Sequence, residues 1–186
     1  MVDVLYVAVL TVLVILVFWA ILSYNSFIGK KLKVENNFSQ IKIQCKKRFD
    51  LVPNLVETVK GYAEHEHTTL QDVIAARSAG VSAKTAHDLA NANNMLTQTL
   101  GKLFAVAETY PDLKASTNFM HLQNELVDIE KTIAAARGFY NDSVMIYNKA
   151  IKIFPNVIMS SLLRFKEAEF FDAPEEETQN VKVNFS

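Results

Sequence analysis

Apolar residues dominate the start of the chain, where Val4 to Leu22 form a run of nineteen residues without a charge, a glycine or a proline. A helix of that length reaches close to 30 Å, the thickness of the hydrocarbon core of a bilayer. A cleaved signal peptide needs a basic start and a shorter apolar core, and a buried core helix needs more protein around it. The pattern therefore predicts a retained membrane anchor over residues 1–25.

The rest of the chain has apolar residues at alternating steps of three and four, which is typical of helices packed along a seam. The last long segment carries this seam at Phe119, Leu122, Leu126, Ile129, Ile133, Ala136, Tyr140, Val144, Tyr147, Ile151 and Phe154. Ser116 or Thr117 can cap its start, and Pro155 can end it. The seam predicts a long helix in coiled-coil-like packing.

Three earlier stretches show the same spacing. The first contains Val34, Phe38, Ile41, Cys45, Phe49 and Val52; the second contains Leu55, Val59, Tyr62, Glu66, Leu70, Val73 and Arg77; the third contains Leu89, Leu96, Leu100, Leu103 and Ala107. Pro53 predicts either a kink or a break between the first two stretches. Gly80 and Ser82 are expected in the turn after the second stretch, and Thr85 with Asp88 resembles a capping box.

These patterns predict an all-α fold, in which a single N-terminal transmembrane helix precedes an antiparallel bundle of three to four long helices. We expect the bundle to cover residues 26–171, including a short amphipathic piece after Pro155. The remaining residues, 172–186, are acidic and polar, and we expect them to be mostly disordered.

Charge predicts the orientation of the anchor. Asp3 precedes the apolar run, whereas Lys30, Lys31 and Lys33 follow it. Basic residues stay on the cytoplasmic side during insertion, so we expect a small outer N-terminus and a cytoplasmic domain of about 160 residues at the cell membrane. The same basic stretch could also contact anionic lipid headgroups. The one cysteine, Cys45, excludes an intrachain disulfide.

Candidate chemistry is sparse. Glu64 and His67 form a Glu-x-x-His unit, but the sequence has no second such unit for a di-iron site and too few ligands for zinc. Cys45 lies on an apolar stripe, where a lone cysteine usually packs as a small hydrophobe. The sequence also lacks a P-loop and a nucleic-acid-binding pattern. We therefore predict no catalytic residues, no metal site, no cofactor and no nucleic-acid partner.

Five charged residues lie near the apolar seams: Arg48, Arg77, Glu108, Glu130 and Arg137. Charges at such positions must be paired, and their best-attested use is to fix one register of packing. We predict that they form ion pairs between helices, or alternatively that they line a polar groove for a partner.

Several phrases resemble the LemA family of bacterial membrane proteins over about residues 24–171. The longest are Lys47 to Ala63 and Glu108 to Ala115, and shorter ones include Ala136-Arg137, Tyr140-Asn141 and Phe154-Pro155. The resemblance implies a membrane helix, a bundle of long helices and no established catalytic activity, and relatives occur in magnetosome membranes. Phe38 and Cys45 depart from the tryptophan and the aliphatic residue that the family usually has there.

Two functions remain as hypotheses. The first is a membrane-anchored scaffold or adaptor that gathers an unknown protein partner, and the chain could also form homo-oligomers through its soluble helices. The alternative is a metal-dependent or otherwise unrecognised enzyme near the membrane surface, with His65 and His67 on its active face.

Overall fold

A computed structural model describes residues 1–63 and 65–171, and within these residues every regular element is a helix. The helices are α1 (Val2–Lys60), α2 (His67–Ser82), α3 (Ala86–Ala107), α4 (Pro111–Lys114), α5 (Thr117–Lys152) and α6 (Asn156–Leu162). This confirms the all-α prediction. The expected disorder of residues 172–186 falls outside the described residues.

The chain divides into two compact units, which share α1 and α5. The first unit comprises residues 1–37 and 139–168. Among the described residues, α1 is the one helix that is long and apolar enough to cross a membrane, and the first unit contains its apolar run. The side chains of the apolar run are exposed apart from Trp19 and Ala20, which are half-buried, and the hydroxyl of Thr11 donates to the carbonyl of Val7 at 2.8 Å. That bond leaves no free hydroxyl donor, which suits a helix in lipid.

The remainder of the first unit packs through aromatic and polar contacts. Phe27 is fully buried, and its ring meets that of Phe165 edge to face at 5.3 Å between centroids. The segment after α6 turns back along α5, where the side-chain amide of Asn148 both donates to and accepts from the backbone of Ala168 at 2.9 Å. These two hydrogen bonds hold the segment after α6 against α5, although this segment has no regular secondary structure.

The second unit comprises residues 38–138 and 169–186, of which those up to Phe171 are described, apart from residue 64. Its core is built largely from the predicted stripes, because most seam positions are buried, although Phe38, Ile129 and Ala136 are half-buried and Tyr62 is exposed. The largest fully buried side chains in this unit are Ile41, Val52, Leu55, Val59, Leu96, Leu100, Leu103, Leu113, Leu126, Ile133 and Phe171. The three-and-four spacing therefore located the core of the bundle.

The start of α3 has the predicted capping box. The hydroxyl of Thr85 accepts from the backbone N–H of Asp88 at 3.0 Å, and the carboxylate of Asp88 accepts in return from the backbone N–H of Thr85. These hydrogen bonds stabilise the ionised carboxylate, so the pKa of Asp88 lies below its ordinary value.

The stripe over the second stretch predicted one helix, but the structure has two. The first helix ends at Lys60, a turn follows, and α2 begins at His67. Ala63 is nevertheless buried within this turn. The predicted stripe does not continue through the turn, because its position there, Tyr62, is 47% exposed. Gly80 lies inside α2 rather than in the turn after it, and Phe154, at the end of the long seam, is exposed.

Pro53 neither ends nor restarts a helix, since α1 runs through it without interruption. Proline has no N–H, so the carbonyl of Phe49, four residues earlier, lacks its helical donor. The Nε–H of Arg77 in α2 donates to this carbonyl oxygen at 2.9 Å. A side chain from another helix thus replaces the hydrogen bond that proline removes.

Candidate functional site

Three of the five predicted charged residues meet inside the second unit. Arg48 of α1 and Arg137 of α5 both approach Glu130 of α5, with Nη1 to Oε2 at 2.5 Å and Nη2 to Oε1 at 3.7 Å. The Arg48 side chain is 4% exposed and that of Arg137 is 8% exposed, whereas Glu130 retains 28%. We call these three residues the buried charge cluster.

Polar residues of α3 complete the cluster. Nη1 of Arg48 donates to Oδ1 of Asn93 at 2.7 Å and to the hydroxyl of Thr97 at 3.0 Å. Nη2 of Arg137 donates to Oδ1 of Asn94 at 3.3 Å. The cluster therefore joins three helices, α1, α3 and α5, and its directional bonds favour one register among them.

Sequence reasoning missed Asn93, although a signal was present. The α3 seam steps by seven residues from Leu89 to Leu96, and Asn93 occupies the position that the spacing leaves open between them. Asn93 is fully buried there. A buried amide in an apolar seam requires polar partners, and Arg48 is the partner of its oxygen, whereas Nδ2 of Asn93 has no hydrogen-bond partner among the described residues.

The other two predicted residues lie elsewhere. Arg77 bonds to the Phe49 carbonyl, as described above. Glu108 is exposed and pairs with Lys114 near the end of α3. Such an exposed pair contributes little to stability, so Glu108 is not part of the cluster.

His65 and His67 line a shallow depression together with Lys60, Ala63 and Leu70. Glu64, which completes the Glu-x-x-His unit, falls outside the described residues. Among residues 1–63 and 65–171, no three histidine, cysteine or acidic side chains are grouped so that they could hold a metal ion.

Cys45 is fully buried beside the cluster. Burial raises the pKa of its thiol from the ordinary 9.0 to about 12, although Arg48 and Arg137 act in the opposite direction. Burial also lowers the pKa of the Arg48 guanidinium. The negative charge of Glu130 acts in the opposite direction, but its effect is smaller. The thiol is therefore protonated at neutral pH and is a poor nucleophile.

This raised pKa predicts a pH dependence of stability. The folded protein holds the thiol proton more tightly than the unfolded chain, so the contribution is complete below pH 9 and decreases as the pH rises toward 12. We expect the free energy of unfolding of the wild type, relative to Cys45→Val, to fall by about 1 kcal/mol per pH unit above pH 9. Urea titrations of both proteins at pH 8, 9, 10 and 10.5 measure this difference. A difference that stays constant over that range contradicts the prediction.

A second feature of this unit is a groove of about 350 Å³ beside the Phe49 ring. Its floor is apolar and includes Phe49, Gly80 and Leu89. Four basic side chains, those of Lys42, Lys46, Arg77 and Lys84, and one carboxylate, that of Asp50, also line it. We call it the basic groove.

Asp50 accepts from Nζ of Lys46 at 2.6 Å, and Nζ of Lys42 lies 5.0 Å from the centroid of the Phe38 ring. The arrangement combines an apolar surface with an excess of positive charge. It can bind a segment that carries both acidic and apolar side chains.

Known proteins resemble this chain over most of its length. It is 26% identical over 191 residues to the magnetosome protein MamQ 2 of Paramagnetospirillum magneticum, with 88% of this chain and 70% of the relative covered. The magnetosome protein MamQ of Magnetospirillum gryphiswaldense is 25% identical over 177 residues, with coverage of 81% and 65%. The family model described as the LemA family matches residues 37–185, which include the cluster and the groove. The chain therefore belongs to the LemA family.

Proposed function

We propose that this protein is a membrane-anchored helical scaffold that holds a protein partner beside the bilayer and catalyses no reaction itself. The observation that carries the proposal is the continuity of α1, which runs from Val2 to Lys60 without interruption. One helix thus contains both the exposed apolar run and residues of the bundle core, such as Ile41 and Val52. Because the apolar run and the bundle belong to one chain, insertion of the run would keep the bundle at the membrane.

The charge cluster supports the same function. Burying two guanidinium groups is costly, and well-packed apolar residues of similar volume often stabilise a fold equally well or better. Bonds from Arg48 and Arg137 to α3 and α5 instead favour a single arrangement of the helices. A scaffold benefits from a fixed surface, because a preformed surface loses less entropy when a partner binds.

The experiment that tests this function compares the full chain with a chain that retains only residues 1–37. Each carries the same affinity tag and is cross-linked in cells before detergent extraction. We expect a defined protein to be recovered in stoichiometric amount with the full chain and not with the truncated one. Identical sets of proteins from both would contradict the scaffold function, and recovery of the chain itself alone would indicate homo-oligomerisation.

We also propose that the N-terminus lies outside the cell membrane and the bundle in the cytoplasm, because Lys30, Lys31 and Lys33 follow the apolar run. We expect green fluorescent protein fused after Ser186 to fluoresce and alkaline phosphatase at the same position to remain inactive. Replacing these three lysines with glutamate is expected to reduce the fraction with this orientation. Active phosphatase without fluorescence in the unmodified chain would reverse the proposed topology.

A further inference from the structure

We propose that the basic groove binds the acidic C-terminal segment of the chain, residues 172–186. The proposal goes beyond the scaffold function and does not depend on it. It rests on the composition of the groove and on the sequence of the segment, which complement each other in charge and in apolar content.

The groove presents positive charge around an apolar floor. Lys42 and Lys84 are exposed and line its opening, and Arg77 lines it from α2. Arg77 uses its Nε–H for the Phe49 carbonyl, and its guanidinium plane is therefore held in a fixed orientation. A guanidinium with a fixed orientation favours carboxylate binding, because little side-chain entropy is lost when the ion pair forms.

The apolar floor includes one close contact between helices. Gly80 approaches the Phe49 ring so closely that a Cβ atom on residue 80 would lie 2.2 Å from Cζ of Phe49. Val81, the next residue, lines the groove and is 63% exposed. An exposed valine next to an apolar floor provides a place for one apolar side chain of a bound segment.

The C-terminal segment has the complementary composition. It begins with four carboxylates, Asp172, Glu175, Glu176 and Glu177, and contains one base, Lys182. Its last six residues include three apolar ones, Val181, Val183 and Phe185. Carboxylates that meet the lysines and an apolar residue on the floor would satisfy both parts of the groove.

The segment can also reach the groove. It begins after Phe171, which is buried in the same unit with its ring centroid 5.4 Å from Cζ of Arg137. Fifteen extended residues span up to about 50 Å. This exceeds the width of three packed helices, which is about 30 Å.

The first test measures binding of the isolated segment. A fluorescein-labelled peptide with the sequence of residues 172–186 is titrated onto the protein truncated after Phe171, in detergent, and followed by anisotropy. We expect saturable binding that weakens at least fivefold between 50 and 500 mM NaCl, because the contacts are charged. The double variant K42E/K84E should weaken it at least tenfold, whereas K102E/K149E, with the same change in net charge at exposed lysines outside the groove, should leave it within twofold. Equal affinity for both double variants, or no saturable binding, would overturn the proposal.

The second test asks whether the segment occupies the groove in the full chain. Lysine acylation rates are compared by mass spectrometry between the full chain and the chain that ends at Phe171, with far-UV circular dichroism to verify equal helicity. We expect Lys42 and Lys84 to react several-fold faster in the truncated chain and Lys102 to react equally in both. Equal rates at Lys42 and Lys84 would overturn the proposal. Protection that disappears on dilution would overturn binding within one molecule and assign the segment to a second copy.

Discussion

Replacing Arg48 with methionine is expected to lower the free energy of unfolding by about 3 kcal/mol, because it removes one partner of a buried ion pair. The substitution leaves Glu130 with only the longer contact to Arg137 among the pairs described, and it removes the donor to the buried Oδ1 of Asn93. Urea denaturation of the full chain in detergent, followed by far-UV circular dichroism, measures the change.

Two further variants identify the cause. Lys131→Met removes an exposed partner of Asp128 and is expected to change stability by less than about 0.5 kcal/mol. The quadruple variant R48M/N93L/E130L/R137M removes all three charges together with the buried amide that Arg48 pairs, and we expect its free energy of unfolding to lie within about 1 kcal/mol of that of the wild type. An Arg48→Met protein as stable as the Lys131→Met protein would show that the cluster does not act as a buried pair.

The second large effect is expected at Gly80. A methyl group there would meet three atoms of the Phe49 ring at 2.2 to 2.7 Å, and Phe49 is itself 3% exposed, so the ring has little room to move. We expect Gly80→Ala to lower the free energy of unfolding by about 1–3 kcal/mol, since overpacking outweighs the higher helix propensity of alanine.

Gly101 provides the matched control. It also lies inside a helix, α3, but within residues 1–63 and 65–171 no atom beyond its chain neighbours and the nearby backbone of α3 lies within 4 Å of a Cβ placed there. Gly101→Ala should therefore raise the free energy of unfolding by up to about 1 kcal/mol through helix propensity alone. Opposite signs for the two substitutions, measured by the same urea titration, are the expected result. A stabilising Gly80→Ala would contradict the close contact between α2 and Phe49.

Part of the site could be predicted from the sequence. Arg48, Glu130 and Arg137 were identified because charges beside apolar seams must be paired, and the structure brings these three together. Glu108 met the same criterion but is exposed with Lys114. The position of a charged residue beside a stripe does not show whether a neighbouring helix covers its side chain. That coverage determines whether the charge is buried.

Pro53 illustrates the same difference at the level of the backbone. The sequence shows that a proline removes the donor to the Phe49 carbonyl, and this predicts a kink or a break. It cannot show that the guanidinium of Arg77, 28 residues after Phe49, lies close enough to replace that donor. A tertiary contact thus replaces the missing donor where the helix continues, and local propensity contains no information about such a contact.

By itself, the sequence determined the helical class, the apolar run that can span a membrane, most of the buried seam positions and the capping box at Thr85. All of these depend on neighbours within a few residues, through helical periodicity and local hydrogen bonds. The tertiary structure alone decided the break between Lys60 and His67, the continuity of α1 at Pro53, the convergence of Arg48 and Arg137 on Glu130, and the groove beside Gly80. Each of these requires residues distant in the chain to meet, and only packing of the helices specifies which of them do.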